Sequence, residues 1–147
     1  MRKLILATLF TLAAHSASAA DWIVKDSAGS ASQTADQLVA AIEKAGAKVF
    51  ARVDHAAGAK AAGMELEPTI LVMFGNPKIG TPIIAADRRA GLDLPIRVLI
   101  WEEAGKTKLG YENPADLKSK YGVQGADEAL AAMTAALDKL TGMAAAK

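Results

Sequence analysis

The run Thr69–Gly75 constrains the fold most. Five consecutive apolar residues (Ile70, Leu71, Val72, Met73, Phe74) lie between Pro68 and Gly75. That is too short for a core helix and reads as a strand, and its unbroken apolarity predicts a central strand buried on both faces. The rest of the chain must therefore supply neighbouring strands and covering helices.

Those elements can be read on either side. Trp22–Lys25 is a short strand, and a Gly/Ser/Ala loop follows. Thr34 and Gln37 have capping-box spacing ahead of the stripe Leu38, Val39 and Ile42, which predicts a helix closed by Gly46. Lys48–Asp54 alternates and predicts a strand with Val49, Ala51 and Val53 on one face. Asp54 then caps a short Ala-rich helix ended by Gly63. After the apolar run, Gly75–Gly80 reads as a loop, with Thr81 capping a helix that has Pro82 at its first position and Gly91 at its end. Ile96–Trp101 and Lys106–Tyr111 form a hairpin about Ala104-Gly105, with Thr107, Leu109 and Tyr111 on one face and lysines on the other, as on an exposed edge. Asn113-Pro114 opens a helix that Gly122 ends, and Leu130, Met133, Leu137 and Leu140 stripe the last one. The order is βαβαβ, helix, β-hairpin, two helices. It predicts an α+β two-layer sandwich with a mixed β-sheet.

The first residues stand outside this domain. Arg2 and Lys3 precede an apolar run, and Ala17-Ser18-Ala19 has the small-residue pattern of a signal-peptidase site. The expectation is a signal peptide over 1–19, cleavage after Ala19, and one periplasmic or secreted domain over 20–147. Loss of Arg2 and Lys3 leaves 15 basic residues against 16 acidic ones. Such a balance gives no electrostatic footprint for nucleic acid, and no second apolar segment is long enough to span a membrane. The chain has no cysteine, so thiol chemistry and thiolate metal sites are ruled out.

Several strings carry a family resemblance. They are Asp54-His55-Ala56-Ala57, Gly63-Met64-Glu65-Leu66-Glu67-Pro68-Thr69, and above all Phe74-Gly75-Asn76-Pro77-Lys78-Ile79-Gly80-Thr81-Pro82. Asp87-Arg88-Arg89-Ala90-Gly91-Leu92-Asp93-Leu94-Pro95, Trp101-Glu102-Glu103 and Tyr111-Glu112-Asn113-Pro114 complete the set. With them the chain resembles the bacterial and archaeal "domain of unknown function 302" family. Glu103 departs from it, since an Asp is more usual there. The resemblance implies an α/β fold that forms a homodimer, and it implies no activity.

The residues offer three candidate sites. His55 is the one histidine left after His15 departs with the signal. In the first turn of a helix its imidazole would be held neutral, and the small residues around it leave room for a flat ligand; haem with His55 as the metal ligand is the sharpest form of this idea. A histidine that merely bonds a carbonyl or faces water is the competing reading. The Gly75–Pro82 loop is a candidate anion nest, in which Gly75, Asn76, Lys78, Gly80 and Thr81 would bind; a purely structural turn competes with it. Arg88 and Arg89, beside Asp87 and Asp93, could clamp a carboxylate or phosphate, or form surface ion pairs. A nucleophilic serine is absent from any Gly-x-Ser-x-Gly elbow, and Glu102 and Glu103 point to opposite faces of a strand. Two functions follow. One is an exported protein binding a small or anionic ligand, with haem at His55 as its specific form and Met64, Met73, Phe74 and Trp101 as walls. The other is a small enzyme acting on an anionic substrate held by the Gly75–Pro82 loop and Arg88/Arg89.

Overall fold

The structure is a computed structural model that describes residues 22–146. The signal-peptide expectation lies outside these residues. The elements are β1 (Trp22–Ser27), α1 (Ala31–Lys44), β2 (Lys48–Asp54), α2 (His55–Ala61), β3 (Thr69–Gly75), α3 (Pro77–Ala86), a 3₁₀ turn (Arg88–Leu92), β4 (Ile96–Glu103), β5 (Lys106–Glu112), α4 (Asp116–Tyr121) and α5 (Asp127–Ala145). The fold is α+β, with the strands in one five-stranded sheet of order β1-β5-β4-β3-β2.

The sheet is antiparallel at every pairing, not mixed. β1 and β2 do run the same way, as their helical crossover suggests, but α1 carries the chain across the whole sheet and leaves them on opposite edges. β5 is consequently an inner strand, and β1 is the edge outside it.

One face of the sheet carries the helices. Ile70, Val72 and Phe74 of β3, Ile96, Val98 and Ile100 of β4, and Leu109 and Tyr111 of β5 are all buried beneath them. Leu38 and Ile42 of α1 and Leu137 and Leu140 of α5 close the core from above. β3 therefore differs from expectation. Its burial alternates, and Leu71 and Met73 stand half-exposed on the face that no helix covers. Lys25 fastens the β1 edge to the helical layer. Its Nζ donates to the Asp138 carbonyl at 2.7 Å, to Asp138 Oδ1 at 2.8 Å and to Thr141 Oγ1 at 2.9 Å.

Two helix starts lie upstream of the expected positions. α1 begins at Ser30, whose hydroxyl accepts from Gln33 N while Gln33 Oε1 accepts from Ser30 N. Thr34 is fully buried instead, donating to the Ser30 carbonyl at 2.9 Å and sharing a hydrogen bond with Ser27 Oγ. α3 begins at Asn76-Pro77, which places Gly80, Thr81 and Pro82 inside a helix rather than in a loop. In β2 the register shifts between Val49 and Ala51. This bulge puts Val49 on the helical side and Ala51 and Val53 on the open side, so the three do not share a face. Arg52 takes the helical side and pairs with Asp36 of α1.

Candidate functional site

The uncovered face of the sheet is where the structure departs most from a closed domain. Alternation places Trp22 and Val24 of β1, Leu99 and Trp101 of β4, Leu71 and Met73 of β3, and Val53 of β2 on it. Gly110 sits among them on β5. A Cβ there would come within 3.1 Å of the Trp101 ring and 3.2 Å of the Trp22 ring. The missing side chain lets both indoles lean over the strand, which is why a glycine is found in a strand interior. Gly110→Val is expected to push both rings aside. It should red-shift tryptophan emission and cost about 1–2 kcal/mol in urea denaturation.

One end of this face deepens into a cavity of about 240 Å³. Leu71, Ile96, Leu99 and Leu117 give it an apolar floor, and Trp22 stands at its side. Its charged wall is organised by Asp93, whose side chain is 12 % exposed. Asp93 Oδ1 accepts from Arg97 Nη2 at 3.0 Å. Asp93 Oδ2 accepts from Tyr121 Oη at 2.8 Å and pairs with Lys120 Nζ at 2.7 Å. Burial alone would raise the Asp93 pKa. The hydrogen bonds from Lys120 and Tyr121 and the charges of Lys120 and Arg97 outweigh it and hold the carboxyl below its ordinary range. The same contacts raise Lys120 and Tyr121. Arg97 and Lys120 each keep further N–H donors beyond those given to Asp93. The wall also carries Glu112 and Asp116, so it is charged with both signs.

The residues expected from sequence do not converge on one site. His55 is the first residue of α2, exposed, on a helix with no buried residue. It does not line the cavity. Of the walls expected for it, Phe74 is in the core and Met64 is 61 % exposed. Among the described residues no group of three His, Cys, Asp or Glu side chains is placed to hold a metal ion. The Gly75–Thr81 segment lies at the other end of β2 and β3, because Asp54 pairs with Ile70 and Lys48 with Gly75. Six residues of strand separate the two, about 20 Å.

That segment is not an anion nest either. Neither Gly75 nor Gly80 has a positive φ. The first-turn amides are already used: Lys78 N donates to Asn76 Oδ1, and Ile79 N and Gly80 N donate to the Asn76 carbonyl. Pro77 has no N–H to offer. Arg89 is held by Asp87 at 2.7 Å and also donates to the Tyr121 carbonyl, while Arg88 is exposed. The Arg89 hydrogen bonds pull the Asp87 pKa down to about 2. Of the arginine cluster, only Asp93 reaches the cavity.

Sequence reasoning missed Trp22, Leu71, Arg97, Leu99, Glu112 and Lys120. The available signal was Gly110, a glycine alternating with apolar residues in a strand.

Comparison with known proteins adds a family. The sequence matches the family described as "Domain of unknown function DUF302" over residues 23–140. This chain belongs to the DUF302 family. The DUF302 match takes in the strands from Ile23 onward and most of α5, so the open face and the cavity lie within it except for Trp22 at the start of β1. A crystal structure of an uncharacterised conserved DUF302 protein from Bacillus stearothermophilus is similar, with TM-score 0.75 over 84 % of this chain and 97 % of that one. At 18 % identity it shows the fold alone. Two curated relatives, from Brucella suis and Brucella abortus, are named "Fluoride-specific ion channel FluC 1". Each is 41 % identical over 125 residues, which is 84 % of this chain but 49 % and 46 % of the relatives. The chain thus spans about half the length of the curated relatives it matches.

Proposed function

We propose that this DUF302 domain is an exported, non-catalytic binding protein that holds a small amphipathic anion in the cavity at the end of the open sheet face. The observation that carries this reading is Asp93. It fixes two cations over an apolar floor and leaves their remaining donors available. An apolar ligand body would lie on Leu71 and Leu99, and its carboxylate or phosphate would meet Arg97 and Lys120. The volume sits below the ~300–1,000 Å³ of sites for drug-sized molecules, so the ligand is small. Export rests on the signal-like pattern of residues 1–19.

The Brucella relatives suggest where such a domain works. A pore needs membrane-spanning segments. Among the described residues no helix is long and apolar enough to cross a membrane. We read the shared region as a module outside the pore, serving a channel from the exported side.

Octanoate and octanol, titrated into residues 20–147 with tryptophan fluorescence and calorimetry as readouts, test the ligand reading. Octanoate should saturate at one per chain, and Arg97→Met should weaken it about tenfold, ~1.4 kcal/mol, without changing octanol binding. Failure of both probes to saturate overturns the cavity as a site. A haem titration whose Soret shift is abolished by His55→Ala would replace the cavity with His55.

A further inference from the structure

We propose, resting on the cavity reading above, that the carboxylate ligand of the cavity is a zwitterion: a free α-amino acid with an apolar side chain, whose ammonium group is received by Glu112 and Asp116.

A simple anion leaves charges of the cavity unused. The lining carries two cations, Arg97 and Lys120, against three carboxylates, Asp93, Glu112 and Asp116. Asp93 is committed to the cations, accepting from Arg97 at 3.0 Å and pairing with Lys120 at 2.7 Å. Glu112 and Asp116 are half-buried, and among the described residues neither makes an ion pair. A partly desolvated carboxylate without a counter-charge is unfavourable, so a cationic group is favoured beside it. With carboxylates in excess, the lining also repels a ligand that carries a carboxylate alone. A zwitterion brings no net charge and meets both signs.

The placement of the groups suits the three substituents of one α-carbon. Glu112 is the last residue of β5 and Asp116 the first of α4. The β4–β5 register pairs Leu99 with Gly110, and two residues further along it sets Arg97 opposite Glu112. Facing residues of adjacent strands have Cβ atoms about 5 Å apart. The Arg97 guanidinium is turned to Asp93 and not to Glu112. A donor for a carboxylate and an acceptor for an ammonium group therefore stand side by side. Glu112 also adds to the raised pKa of Lys120, of which the Asp93 hydrogen bond is the leading cause, so its charge lies near both cations. The ligand's carboxylate meets Arg97 and Lys120, its ammonium meets Glu112 and Asp116, and its side chain rests on Leu71 and Leu99. A cavity of about 240 Å³ holds a single amino acid and not a peptide.

L-Leucine, isocaproate and isoamylamine share one branched apolar body and differ in the charged groups attached to it. Calorimetric titration of each into residues 20–147, the chain left after the proposed cleavage, tests the assignment. L-Leucine should saturate at one per chain and bind at least about tenfold more tightly than either of the others. Glu112→Gln should weaken L-leucine by about tenfold and leave isocaproate unchanged or tighter, and Asp116→Asn should act in the same direction. Both substitutions keep the shape of the side chain, so circular dichroism should remain native. Isocaproate binding as tightly as L-leucine, or a preference for L-leucine that survives both substitutions, overturns the proposal and leaves the carboxylate site standing. Saturation by octanoate without saturation by L-leucine has the same meaning. Failure of every probe, octanoate included, removes the cavity as a site and this proposal with it.

Discussion

Replacing Ile100 by alanine is expected to cost about 3–4 kcal/mol of folding stability. Ile100 is fully buried at the middle of the middle strand. Its cross-strand neighbours on the helical face are Ile70 of β3 and Leu109 of β5, both in the core. Antiparallel strands on either side fix the backbone, so the cavity left by the lost carbons cannot collapse. In urea denaturation the midpoint should fall while the slope stays unchanged, and Ile100→Val should cost only about 1 kcal/mol. The adjacent Leu99 is the control. It points to the open face, where it is half-exposed, and Leu99→Ala should cost no more than about 1.5 kcal/mol. An equal loss at the two positions would mean that both faces of β4 are packed, contrary to the two-layer arrangement.

That contrast also marks what the sequence made legible. The helical face announces itself. Leu130, Met133, Leu137 and Leu140 stripe α5 at helical spacing, and all four are buried. Thr107, Leu109 and Tyr111 alternate on β5, and all three face the core. Asp54 caps α2 through Ala57 N at 2.8 Å, and Gly46 and Gly122 take the positive φ required at helix ends. These features are local, and local rules read them correctly.

The open face obeys a different logic. An apolar run such as Leu71-Val72-Met73 looks identical whether its second face meets helices, a ligand or another chain, because composition records apolarity and not what covers it. Val49, Ala51 and Val53 alternate faultlessly in sequence, yet one inserted residue at Phe50 sends them to different faces. The site was hidden for a related reason. Asp93 is close in sequence to Arg88 and Arg89, and proximity joins them on paper. In space its partners are Arg97, Lys120 and Tyr121, and two of these lie on α4, which only the return of β5 brings near. Asn76-Pro77 presented a stronger helix start than Thr81-Pro82, and the repeated prolines concealed which would win.

Asp93→Ala should remove about 2 kcal/mol of stability at neutral pH, between the cost of breaking a surface ion pair and a buried one, and loosen the cavity wall in the same step. Three elements meet at this carboxylate: the end of the 3₁₀ turn, Arg97 of β4, and Lys120 and Tyr121 of α4. Deleting it leaves two cations and a phenol without their shared acceptor. Partial exposure keeps the cost below that of breaking a fully buried pair. The pH dependence identifies the cause. The folded-state pKa of Asp93 lies below its ordinary value. Its contribution is therefore complete above the unfolded carboxylate pKa of about 4, and it is lost as pH falls through the lower folded value. The gap in urea stability between the two proteins should be constant from neutral pH down to about 5 and close progressively below 4. At the alkaline end, the hydrogen bond to Asp93 is the leading reason that Tyr121 titrates above its ordinary value. In Asp93→Ala one tyrosine should ionise at lower pH in ultraviolet titration. A stability loss that persisted unchanged into acid, with tyrosine titration unmoved, would assign the effect to packing and deprive Arg97 and Lys120 of the anchor that the binding site requires.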